Sequence, residues 1–208
     1  MSEIVTQERL DELWDFDDAA KSQRVFEAAL TEVAPGSPAA GVLATQLARS
    51  LGLQGRYSEA DGVLDSIENP AGALAARVLL ERGRLRSSAG EADAAVQLFE
   101  AALLIAAAEE ADFLAADAAH MLAIVDAERA EHWTARGLTT VEESTDPRTK
   151  RWAVSLHNNL GWKLVDEGQP AAALAELELA ADAARDYGTP AQQRLAQEAI
   201  DEVRDIVS

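Results

Sequence analysis

Leu79–Ala108, LLERGRLRSSAGEADAAVQLFEAALLIAAA, decides how the rest of the chain is read. It reads as two amphipathic helices joined by a tight turn at Ala89-Gly90, glycine being the residue that enters a left-handed turn without steric cost. Small residues sit where two helices would touch: Gly83 seven before the turn glycine, Ala95 five after it and Ala102 twelve after it. Phe99 lies between the last two as a bulky plug. If the unit recurs, the chain is a helical repeat array, an architecture whose work is binding.

Working outward, the offsets recur. In LATQLARSLGLQGRYSEADGVLDSI, Gly55 is the turn, with Ala48 seven before it, Ala60 five after, Leu64 nine after and Ile67 twelve after. In SLHNNLGWKLVDEGQPAAALAELELA, Gly168 is the turn, with Gly161, Ala173, Leu177 and Ala180 at the same offsets. Gly55 and Gly90 are 35 apart, and a shared set of offsets is stronger evidence than any one residue in it. Adding the same interval to Gly90 lands on Val125, so a third pair lacks the turn glycine and must turn by another device. Its outline is FLAADAAHMLAIV followed by AERAEHWTARGLTTVEE, with Ala118 and Ala130 at the small positions and Trp133 and Leu138 as bulky neighbours.

Breaks at Pro35-Gly36-Ser37-Pro38, Glu68-Asn69-Pro70, Ser144-Thr145-Asp146-Pro147 and Tyr187-Gly188-Thr189-Pro190 separate the pairs. They predict one domain over 1–208 with helix-turn-helix units at about 39–69, 71–108, 111–143 and 147–187. Capping helices are predicted over 5–34 and 190–207, since terminal units of a repeat array need a modified outer face. In the first cap, Asp17-Asp18 would cap a helix whose stripe is Val25, Phe26, Ala29, Leu30 and Val33. In the last, Leu195, Ala199, Ile200, Val203 and Ile206-Val207 form the apolar side.

Composition agrees with an all-α fold. Hydrophobic residues make up 48% of the 208 but aromatics only 5%, and much of the apolar share is alanine, the best helix former. The formal net charge of -19 opposes nucleic-acid phosphate and anionic lipid as partners. With no cysteine there is no disulfide framework, thiolate nucleophile or cysteine metal site, which suits a reducing cytoplasm. MSEIVTQERLDELWDF has no basic segment followed by an apolar run, so no secretory signal is expected, and no stretch is long and apolar enough for a membrane span.

The small-residue pattern resembles the tetratricopeptide repeat, a helix-turn-helix unit of about 34 residues. The units around Gly55, Gly90 and Gly168 match it well and the one around Val125 in part, together covering roughly two thirds of the chain, about 41–186. LWDFDDAAKSQRVF, LATQLARSLGLQGRYSEA, VLLERGRLRSSAGEADAAVQLFEAAL and DAAHMLAIV further resemble a bacterial group of stand-alone tetratricopeptide proteins. The bias of 15 Arg to 3 Lys suits a high-GC bacterium. Arg82 and Arg86 depart from the pattern by standing where the repeat has apolar residues. So do Ala44, Leu79, Leu114 and His157, where it has a large aromatic residue, and looser packing is expected in the helices of the first three.

The resemblance implies a right-handed α-solenoid whose first helices line a concave groove holding an extended peptide or a partner helix. Groove-facing places lie six, nine, ten and thirteen residues before each turn. They give Arg49, Arg84, Ala119 and Trp162; Gln46, Glu81, Ala116 and Asn159; Thr45, Leu80, Ala115 and Asn158; and Val42, Arg77, Asp112 and Ser155. Three arginines stand at one end of this surface, an alanine floor in the middle, and Asn158, Asn159 and Trp162 at the other. Asparagine amides hold extended backbone, arginine forks onto carboxylates, and tryptophan supplies apolar area. The candidate binding residues are therefore Gln46, Arg49, Arg77, Glu81, Arg84, Asn158, Asn159 and Trp162. The competing assignment pairs the arginines internally with Glu81 and Asp112.

Other chemistries find little support in the sequence. His120, His132 and His157 lack the close spacing of a metal-binding helix motif, their shortest gap being 12 residues, so no metal and no cofactor is expected. Glu109-Glu110 and Glu142-Glu143 read as solvated helix ends, and there is neither a phosphate loop nor a nucleophile elbow, so no catalytic residue and no enzyme activity is expected. The expected role is a cytoplasmic adaptor for another protein or peptide. The alternative is a regulatory sensor that closes the same groove on a small peptide or metabolite, and the terminal helix leaves a homodimer open.

Overall fold

A computed structural model describes residues 5–207, with the side chain of Val207 outside the description. Every regular element among the described residues is helical. They fall into two compact units, the first ending at Glu109 and the second beginning at Glu110.

The first unit runs α1 (Gln7–Leu13), α2 (Ala19–Thr31), α3 (Pro38–Leu53), α4 (Tyr57–Asp65), α5 (Gly72–Ser88) and α6 (Ala92–Ala108). Start signals are local: the side chains of Thr6, Asp18 and Ser37 accept from the backbone N–H groups of Arg9, Lys21 and Ala40. Pro38 opens α3, where its missing N–H is harmless. Each helix packs on its neighbour in sequence from α2 to α6, and α3 also packs on α5. Leu10, Phe26, Leu43, Leu47, Ala48, Leu51, Ala60, Leu64 and Leu85 form one core cluster.

The turns repeat. At Gly55, Gly90 and Gly168 the backbone is left-handed, with φ of +74°, +80° and +74°. Gly55 N–H donates to the Gly52 carbonyl and Arg56 N–H to Leu51; Gly90 donates to Ser87 and Glu91 to Arg86; Gly168 donates to Val165 and Gln169 to Leu164. This is the Schellman motif three times over, satisfying carbonyls that the ending helix leaves without a partner.

The small positions work as contacts. A Cβ placed on Gly83 would lie 2.4 Å from Phe99 Cε1, and one on Gly161 would lie 2.8 Å from Leu177 Cδ2. Ala48, Ala60, Ala95, Phe99, Ala102, Ala173, Leu177 and Ala180 have no exposed surface. Arg82 and Arg86 stand where the pattern expects apolar residues. They close onto α4, Arg82 reaching Asp61 at 3.3 Å and Asp65 at 2.5 Å, and Arg86 reaching the other Asp61 oxygen at 2.6 Å. Two basic residues four apart on α5 thus meet two acidic residues four apart on α4.

The second unit contains α7 (Asp112–Val125), a 3-10 turn at Ala127–Arg129, α8 (Ala130–Glu143), α9 (Pro147–Lys150), α10 (Trp152–Asp166), α11 (Pro170–Tyr187) and α12 (Pro190–Val207). Here α7 packs on α8 and α10, α10 on α11, and α11 on α12. Twelve residues past Val125 stands Gly137, next to the bulky Leu138. Gly137 is buried, and a Cβ there would meet Leu156 Cδ1 at 2.9 Å and Ala119 Cβ at 3.2 Å. On α12 the buried side is Ala196, Ala199, Ile200 and Val203, while Leu195 and Ile206 are more than half exposed.

The glycine-free turn is closed by side chains. Asp126 Oδ2 accepts from Trp133 Nε1 at 2.8 Å and from Arg129 Nε at 2.6 Å, and the Arg129 guanidinium lies 4.9 Å from the Trp133 ring centroid. The Trp133 hydrogen bond, then that of Arg129, hold the Asp126 carboxyl below its ordinary value against the opposing effect of burial. A carboxylate with a lowered folded-state pKa stabilises the fold fully above its unfolded value and loses that contribution as pH falls through the folded one. Asp126→Asn is therefore expected to unfold more easily than the wild type near pH 6, with the gap closing below the ordinary carboxyl value of 3.8. Urea titrations across that range check it, and a gap that widens toward acid would contradict it.

Candidate functional site

Five of the eight candidate residues lie on two adjacent helices of the first unit, Gln46 and Arg49 on α3 and Arg77, Glu81 and Arg84 on α5. Leu47 and Leu51, both largely buried, commit the opposite face of α3 to the core. Gln46 is 4% exposed, and its side chain does two things. Its Nε2 donates to Thr45 Oγ1 at 3.2 Å, and its Oε1 accepts from the indole N–H of Trp14 at 2.9 Å. Trp14 in turn carries the Arg49 guanidinium 5.7 Å from its ring centroid, a cation–π contact.

On α5, Arg77 Nη2 donates to Gln7 Oε1 at 2.9 Å. Glu81 is 4% exposed and pairs one turn away with Arg84, whose Nη1 lies 2.6 Å from Glu81 Oε1. The Arg84–Glu81 pair lies within α5, whereas the competing assignment expects pairs between helices. Arg49 also meets Trp14, the residue after α1, and Arg77 also meets Gln7 of α1.

Trp14 was the part of this site that sequence reasoning left out. It is the hub of an aromatic group, stacked on Phe16 at 5.3 Å between centroids with planes 9° apart, and edge-on to Phe26 at 5.2 Å. The available signal was spacing: Gln7, Leu10 and Trp14 stand at i, i+3 and i+7, one face of a helix. Leu10 on that face is completely buried.

The other three candidates lie on α10 of the second unit. Asn159 Nδ2 is 2.9 Å from His120 Nε2 on α7, and the His120 ring stands 5.1 Å from that of Trp152, which also meets Phe113 at 5.7 Å. Asn158 is partly buried beside it. Trp162 packs against the cluster of Leu164, Ala173, Leu177, Ala199, Ile200 and Val203. The alanine floor is interior: Ala115, Ala116 and Ala119 are at most 3% exposed, Ala116 packing with Val141 and Leu156. Thr45 and Leu80, also read as groove-facing, are at most 1% exposed.

The histidines have separate partners. His157 Nδ1 is 2.7 Å from Glu176 Oε2, His120 meets Asn159, and His132 packs edge-on to Trp133 at 4.7 Å. Among the described residues no three His, Asp or Glu side chains gather as metal ligands, and no helix is long and apolar enough to cross a membrane. Scanned against protein-family models and against curated proteins, the sequence finds no match.

Proposed function

We propose that the chain is a cytoplasmic adaptor of the tetratricopeptide kind, which binds another protein or peptide and catalyses nothing. In this reading the helix pairs stack as a right-handed superhelix, and their first helices supply the binding face. The observation that carries it is the row Arg49, Arg77 and Arg84 on the adjacent helices α3 and α5, in a chain of net charge -19. Against that background a patch of three guanidinium groups around one carboxylate, Glu81, favours an acidic partner, which arginine holds through forked hydrogen bonds to carboxylates. The negative field of the rest of the surface turns away nucleic acid and anionic membrane.

An Arg49→Glu/Arg84→Glu double variant tests the reading. Proteins captured from the source organism by the wild type are expected to drop out of the variant's capture. A folded variant with an unchanged list of captured proteins would overturn the assignment of this face.

A further inference from the structure

We propose that residues 7–14 are a resident ligand of the α3/α5 face, and that the partner taken there is a short acidic amphipathic helix of the same chemistry. The inference rests on the binding role proposed above and names the class of partner.

The observations come from the first unit alone. QERLDELW contributes Gln7 to Arg77, Leu10 to the core cluster, and Trp14 to both Gln46 and Arg49. The segment carries Glu8, Asp11 and Glu12 against Arg9, three acidic groups to one basic, with Glu8 and Glu12 exposed, Glu12 paired with Arg9 and Asp11 accepting from Gln7 Nε2. Its own backbone hydrogen bonds close locally, Leu10 N–H onto Thr6 and Trp14 N–H onto Leu10, so packing on α2 and side-chain contacts to α3 and α5 hold it in place. A helix of 7 residues is far below the ~12–15 needed for an isolated helix, so docking is what keeps it helical.

A hinge follows directly. Asp15 is tied back to α2, its N–H and carbonyl both bonded to Ser22 Oγ and its carboxylate paired with Lys21 at 2.8 Å. Residues 7–14 can leave together while Asp15 stays in place, provided the Trp14 ring unstacks from Phe16 and Phe26. A competing partner must offer a hydrogen-bond acceptor for Arg77, an apolar residue three positions on, and a tryptophan-like ring four further on, with acidic residues between.

The test uses the full chain and a fluorescein-labelled peptide of the sequence VTQERLDELWDF, read by anisotropy. Leu10→Ala/Trp14→Ala loosens the resident segment and is expected to bind the peptide at least tenfold more tightly than the wild type, with Arg77→Glu added on top abolishing the gain. A folded variant that binds no more tightly, or a gain that survives Arg77→Glu, would overturn the proposal. Should the variant not fold, hydrogen exchange of the wild type decides. Leu10 and Trp14 amides exchanging at least 100-fold faster than that of Leu47 in α3 support release, and equal protection overturns it. If Arg49→Glu/Arg84→Glu loses its captured proteins while the peptide never binds, the resident ligand fails and the adaptor stands. If the peptide binds and the variant's capture is unchanged, the reverse holds.

Discussion

Phe99→Ala is expected to cost about 3–5 kcal/mol, the largest loss from any single change considered, because the ring is wholly buried and its neighbours belong to two helices. Equilibrium urea unfolding measures it. The neighbour that makes the position informative is Gly83, where an added Cβ would fall 2.4 Å from the ring. Gly83→Ala alone therefore overpacks the site and is expected to cost about 1–3 kcal/mol. The first helix pair has already solved the same problem with a smaller plug: Ala48 and Leu64 stand at the offsets of Gly83 and Phe99. Gly83→Ala/Phe99→Leu rebuilds that pair inside the second hairpin. Its cost should fall below the sum of the two single changes, by the roughly 0.5–3 kcal/mol typical of residues in contact. Strict additivity would mean that the two hairpins are not packed alike.

The second large effect comes from the turns. Alanine at Gly55, Gly90 or Gly168 must adopt a φ between +74° and +80°, and the left-handed region costs a side chain about 1–2 kcal/mol. The space around each is open, so the penalty is conformational alone. The three sites lie in different hairpins, so the triple variant is expected to lose about 3–6 kcal/mol, each turn contributing its share. Gly62 is the control. It sits within α4 with ordinary backbone and nothing within 4 Å of an added Cβ, so Gly62→Ala should stabilise by about 0.5–1 kcal/mol. Thermal and urea unfolding of the four variants check the set, and turn variants as stable as the wild type would contradict the left-handed assignment.

These turns and their small-residue contacts are legible in the sequence because each rests on a residue with one physical use. Only glycine enters a left-handed turn freely, and only glycine or alanine lets a helix approach Phe99 or Leu177. Where that use is shared, legibility stops. Val125 gives no turn signal, and the substitute built from Asp126, Arg129 and Trp133 depends on an indole N–H reaching a carboxylate seven residues away. Arg82 and Arg86 read as misfits on α5 because the carboxylates that receive them, Asp61 and Asp65, belong to the preceding helix. The matched four-residue spacing of the two pairs was the clue.

The candidate site was legible at the level of which helices carry it, and less so at the level of what the side chains touch. Periodicity brought Gln46, Arg49, Arg77, Glu81 and Arg84 to α3 and α5. It placed Thr45, Leu80 and the alanines beside them on the surface, whereas packing by neighbouring helices makes them interior. Gln7 and Trp14 were not assigned to this face because α1 is only two turns long, too short to show a period against its polar flanks.

The most direct test of the central claim, that the α3/α5 face binds a protein partner, is photo-crosslinking in the source cell. A benzophenone side chain is placed at Arg49 in one strain and, in another, at Leu104, a residue 73% exposed on α6. A discrete crosslinked adduct is expected from position 49 and none from position 104. Adducts of equal yield from both positions, or none from position 49 in a folded protein, would contradict that claim.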